Sequence, residues 1–174
     1  MAIRKILIEP DPFLRQKSEK VEEVDDNIRS LMDDMLETMY QAPGIGLAAI
    51  QIGIPKRVIV IDLAKENEKK DPLYFVNPEI ITKSKLDATY EEGCLSVPGQ
   101  FAEIDRPDKC KVKYLDYEGK EQILNAEGLL ATCIQHEMDH LEGILFIDYL
   151  SKLKKSMITK KLSKQKKELE RIVV

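Results

Sequence analysis

The chain's only two histidines stand four residues apart with a glutamate directly after the first, in Gln135-His136-Glu137-Met138-Asp139-His140. On a helix, residues i and i+4 lie one turn apart on the same face, so both imidazoles can reach one ion. Glu137 then projects beside the pair, where it can take a proton from water activated at the metal. The alternative is a buried helix that carries two hydrogen-bonded histidines. Burial is expected on either reading. Leu130, Ile134, Met138 and Leu141 form one apolar stripe, and Leu129, Cys133, His136 and His140 form another. A helix from about Glu127 to the stop at Gly143 should therefore run through the middle of the domain. A metal on such a helix is reached only through a pocket, which favours catalysis, with a structural metal as the other possibility.

At 174 residues the chain fits a single domain over 1–174 with a core of its own. Hydrophobic residues at 43% and charged residues at 33% match a water-soluble globular composition. A net charge of -4 gives no reason to expect DNA binding by the whole domain. No apolar run approaches membrane-spanning length, so no membrane partner is expected. Met1 to Ile6 has no long apolar stretch with a small-residue cleavage site, so no secretory signal is expected. Three cysteines without close pairing suit a reducing compartment. The expected location is the cytoplasm.

The chain mixes helix and strand without repeats. Ile3 to Ile8 is a short apolar stretch ended by Glu9-Pro10-Asp11-Pro12. From Asp26 to Tyr40, Ile28, Leu31, Met32, Met35, Leu36 and Met39 fall at helical spacing. Asp25 or Asp26 is the expected N-cap, and Pro43-Gly44 ends the helix. The methionine and leucine stripe reads as core packing. Arg57 to Leu63 reads as a buried strand, and Lys65 to Asp71 as a solvated loop. Leu73 to Thr82, Lys109 to Tyr117 and Lys120 to Ala126 read as further strands, the last two joined by a hairpin turn at Tyr117-Glu118-Gly119-Lys120. Strands and helices do not alternate regularly. The expected class is α+β, with mixed, mainly antiparallel sheets packed around a buried central helix carrying HExxH.

Two histidines leave a coordination sphere incomplete, so a third ligand must come from elsewhere. Cys133 shares the histidine face but sits roughly 7–8 Å along the axis from the midpoint of the pair, too far for a cysteine side chain. Cys110 lies within an expected strand and reads as core. Cys94, in Glu91-Glu92-Gly93-Cys94-Leu95-Ser96-Val97-Pro98-Gly99, lies where small residues let backbone approach a site. It is a buried hydrophobe or a ligand. The segment Gly44-Ile45-Gly46-Leu47-Ala48-Ala49-Ile50-Gln51-Ile52-Gly53 follows a helix, not a strand, which argues against dinucleotide binding. Gln51 there is an ordinary structural amide or a donor to an oxyanion.

Taken together, Gly44 to Gln51, Glu92-Gly93-Cys94-Leu95-Ser96 and Gln135 to His140 resemble the three signature motifs of the peptide deformylase family, bacterial type, in the family's order and at comparable spacing. The resemblance extends over nearly the whole chain. It implies a hydrolase that removes the formyl group from the initiator formyl-methionine of nascent polypeptides and releases formate. It implies that Cys94, His136 and His140 hold one divalent metal, Fe2+ in the cell, with Zn2+, Ni2+ or Co2+ able to substitute. Under it, Gln51 and the backbone N–H of Leu95 stabilise the oxyanion, Glu137 moves the proton, and Gly46 lies against the site as backbone. Ile45, Leu129 and Cys133 are the candidates for lining the slot for the methionine side chain, with ordinary core packing as the alternative for each.

The C-terminal segment, at about 149–171, reads as a basic helix. Leu153, Met157, Leu162 and Leu169 keep roughly helical spacing, and Lys152, Lys154, Lys155, Lys160, Lys161, Lys164, Lys166, Lys167 and Arg171 surround them. It is a solvated terminal helix or, as in bacterial deformylases that end this way, a ribosome-docking element suited to phosphate-rich RNA. Two competing readings stand beside the deformylase one. A zinc endopeptidase shares HExxH but most take a distal His or Glu as third ligand. A catalytically dead relative would bind nascent chains without hydrolysing them.

Overall fold

The computed structural model describes residues 1–172; the last two residues of the expected 1–174 domain lie outside the described part. Helix α1 (Asp26–Gln41) starts where the Asp25 carboxylate accepts the Ile28 N–H at 2.9 Å, the N-cap arrangement that satisfies an otherwise orphaned donor. Met32, Met35 and Met39 are fully buried, as core packing requires.

Seven strands follow the chain: β1 (Gly46–Ala48), β2 (Val58–Ile61), β3 (Leu73–Lys83), β4 (Asp87–Cys94), β5 (Val97–Pro107), β6 (Lys109–Leu115) and β7 (Glu121–Glu127). Five form one sheet in the order β1-β2-β3-β6-β7, and β4 pairs with β5 alone. Every pairing between these strands is antiparallel. Strand β2 is shorter at both ends than the expected Arg57–Leu63 and is buried along its whole length. Its alternation explains why the run is continuous. Val58 and Val60 join the methionines of α1, while Ile59 and Ile61 join Phe75, Val112, Ile134 and Leu141 on the opposite face.

The histidine helix, α2 (Gly128–Leu141), follows β7 without a linker, the backbone reversing at Gly128 with φ +62. It packs on the five-stranded sheet through Ile134 and Leu141 and meets the β4–β5 hairpin on its other side. Central burial of this helix is thus observed, and it ends before Gly143, whose φ is +75.

Two elements depart from the sequence expectation. The β4–β5 hairpin occupies a stretch to which the sequence reading assigns no strand, because its residues are polar and half-exposed and include Pro98 and Gly99. Its register runs from Asp87 opposite Pro107 to Gly93 opposite Phe101, then shifts so that Cys94 faces Val97. The basic helix starts later than about 149. Phe146–Tyr149 is a separate 3-10 turn, Leu150 is extended, and α3 spans Lys152–Ile172. Ser151 Oγ accepts the Lys154 N–H at 3.3 Å and caps the new start. Of its apolar positions only Leu162 is buried; Leu153, Met157 and Leu169 are exposed. No helix among the described residues is long and apolar enough to cross a membrane.

Candidate active site

His136 and His140 project from one face of α2 toward Cys94 at the end of β4. Cys94 Sγ lies 3.4 Å from His140 Nε2. One ligating atom from each of Cys94, His136 and His140 lies within 4.8 Å of the others. The register shift after Gly93 places the thiol there, at the strand end just before the short turn of Leu95 and Ser96. Cys133 is not part of this group. Burial pushes its thiol up to about 12, so it stays protonated and acts as a small apolar side chain.

Buried groups outside the three donors hold them in place. Glu92, two residues before Cys94 on β4, accepts from His136 Nδ1 at 2.8 Å. A carboxylate at Nδ1 fixes the tautomer that leaves Nε2 free to bind an ion. Arg106 on β5 grips the same carboxylate through Nε at 2.7 Å and Nη2 at 3.0 Å, and reaches Asp139 through Nη1 at 2.8 Å. Tyr149 donates to Asp139 at 2.6 Å and closes the network. Burial alone would raise the Glu92 pKa, but the His136 and Arg106 bonds outweigh it and hold the group below the usual carboxylate range. Burial, reinforced by the His136 and Arg106 charges, keeps His140 well below the ordinary imidazole value and therefore neutral.

Glu137 points into the site, with Oε1 4.0 Å from His136 Nε2 and Oε2 buried without a protein partner. Burial pushes this carboxyl up to about 7, with Glu92 adding to the rise and His136 and Arg106 opposing it. A group poised near neutrality exchanges protons in both directions. Gly46 on β1 explains how β1 comes so close. A Cβ there would lie 2.5 Å from Glu137 Oε1, so any larger residue would displace the carboxylate. Gln51 is oriented at both ends of its amide. Its Oε1 accepts the Ala48 N–H at 2.9 Å, and its Nε2 donates to Ser96 Oγ at 3.0 Å and faces Cys94 Sγ at 3.5 Å.

A cleft of about 600 Å³ opens onto this site. Gly46, Gln51, Cys94, Leu95, His136 and Glu137 line it together with Ile45, Leu129 and Cys133. Ile45 and Leu129 stand partly exposed, while Cys133 is buried. His140 is buried as well. The sequence reading does not single out Glu92, Arg106 or Ser96. Glu92 and Ser96 lie within the cysteine motif without an assigned role, and the acid becomes legible as a partner only once the hairpin brings Arg106 beside it.

The donor set fits one transition-metal ion: a thiol and two imidazoles converge, one imidazole tautomer is fixed, and the carboxylate beside them has an unpartnered buried oxygen. Fold and site together describe an α+β domain whose HExxH helix brings two histidines beside a cysteine thiol, a group of three that could hold a metal ion. The polypeptide deformylase family model matches residues 3–156. The peptide deformylase of Pelagibacter ubique is 67% identical over 174 residues, covering 100% of both chains. That of Phenylobacterium zucineum is 64% identical, covering 96% of this chain and 99% of the relative. The crystal structure of peptide deformylase from Ehrlichia chaffeensis superposes with a TM-score of 0.91 at 43% identity, covering 96% of this chain and 98% of that one. A structure of the same organism's enzyme in complex with actinonin gives a TM-score of 0.91 at 46% identity, covering 95% and 98%. The chain belongs to the polypeptide deformylase family, in its bacterial form. It is a hydrolase that takes the N-formyl group from nascent polypeptides.

Proposed function

We propose that formyl-methionyl chain ends are hydrolysed in the cleft between β1, β4 and α2, releasing formate, with Cys94, His136 and His140 holding one divalent metal. The convergence of those three side chains beside Glu137 and Gln51 carries this reading. Sulfur and imidazole donors suit a late first-row metal better than magnesium or calcium. Following the family resemblance, the ion is Fe2+ in the cell, with Zn2+, Ni2+ or Co2+ able to replace it. When bound, the metal supplies a Lewis acid that makes water a nucleophile near neutral pH.

The chain's own residues do the rest. Glu137 takes the proton from the attacking water at Oε1 or Oε2 and delivers it to the leaving amine. Gln51 Nε2, aimed by the Ala48 and Ser96 bonds, donates to the oxyanion as it forms. The Leu95 N–H, which has no backbone partner outside the strands among the described residues, is the second donor. Gly46 brings backbone against Glu137 and the substrate. Ile45, Leu129 and Cys133 form the apolar wall for the methionine side chain. The domain works in the cytoplasm as a single catalytic unit, and the basic helix α3 docks on ribosomal RNA near emerging chains.

Replacing Glu137 by Gln tests the proton-transfer role. The variant should keep its metal and lose on the order of 10²–10⁴-fold in turnover. Near-normal formate release from metal-loaded Glu137→Gln would refute the assignment.

A further inference from the structure

A second groove, of about 590 Å³, lies between β5 and α3 and shares Gln100 and Phe101 with the active-site cleft. Phe101 lies over the β4 backbone, where a Cβ on Gly93 would come within 2.6 Å of its ring. Its side chain is 65% exposed, and Met157 across the groove on α3 is 63% exposed. Ala102 and Ile158 form an apolar, partly buried floor continuous with the core under the hairpin. Lys154 and Lys161 stand at the α3 side, and neither forms an ion pair among the described residues. Glu103 is the acid on the β5 side.

We infer that this groove is a downstream subsite for the substrate chain, taking roughly its fourth to sixth residues and favouring apolar and acidic side chains. The inference rests on the deformylase reading above and adds a specificity surface to it. A chain end seated in the cleft leaves past Phe101, and the two cavities meet at that residue. Lys154 to Lys161 covers about 10 Å of helix, the length of about three extended residues. The apolar floor accepts side chains from one face of an extended segment. Two unpaired lysines against one glutamate give a net attraction for acids, which is modest because these charges are exposed.

The test compares kcat/KM for formate release from a formyl-Met tripeptide with that from six-residue peptides sharing its first three residues. One extension is apolar and acidic, the other apolar and basic, and all are assayed at low salt with metal-loaded protein. The acidic extension should raise kcat/KM by about threefold to tenfold over the tripeptide and exceed the basic one. Lys154→Glu with Lys161→Glu should invert the charge preference, and Met157→Ser should shrink the gain, with tripeptide turnover unchanged in both. Equal values for all three peptides in the unaltered protein would overturn the subsite. So would a gain that survives both variants, which would leave the groove to another occupant such as a second copy of the chain. Failure of the tripeptide itself to release formate would instead strike at the deformylase reading.

Discussion

His136 is held from behind: its Nδ1 meets Glu92 at 2.8 Å, and Glu92 is held in turn by two bonds from Arg106. Both Glu92 and Arg106 are buried, so their charges are costly to bring out of water and depend on each other. Glu92→Ala should weaken metal affinity by roughly 10–100-fold, since the histidine loses the partner that fixes its ring. It also strands a buried guanidinium with Asp139 alone, and should lower stability by about 3–5 kcal/mol. Chelator competition at a temperature where the variant stays folded separates the two effects. Unchanged metal affinity would show that Glu92 acts on the fold only. At this scale the sequence points to the three side chains that converge, because two histidines at helical spacing and one cysteine among small residues carry their chemistry in their identity. The supporting shell is silent there, since a buried Arg106 or Ser96 looks like any polar residue until its neighbours are known.

The elements divide along the same physical line. Helix α1 and strand β2 are legible because burial on a defined face imposes a period, seen in the methionine stripe and in the four buried residues Val58–Ile61. The HExxH helix is legible for the same reason. The β4–β5 hairpin is not, since its side chains alternate between partial burial and exposure and its core contribution is confined to residues such as Val97 and Ile104. Yet that hairpin supplies Cys94, Leu95, Ser96, Glu92 and Arg106. The part of the site hardest to read was therefore the half built on the weakest hydrophobic pattern. Helix α3 is legible by its spacing and its lysines, and Leu153, Met157 and Leu169 are exposed, as a solvated terminal helix requires.

Across the whole molecule, a net charge of -4 coexists with a basic terminal helix. If α3 docks on ribosomal RNA, affinity should fall steeply with salt. With about four phosphates neutralised, binding should weaken on the order of a hundredfold between roughly 50 and 200 mM salt. Co-sedimentation with ribosomes across that range checks it, and salt-insensitive binding would contradict an RNA contact. The central claim is that one metal held by Cys94, His136 and His140 makes the cleft a deformylase site. The most direct measurement is formate release from a formyl-Met tripeptide by ferrous protein prepared without oxygen, with metal content determined in the same sample. The account predicts rapid release that rises with metal content and saturates at one ion per chain. No release from protein shown to hold one ion per chain would contradict it.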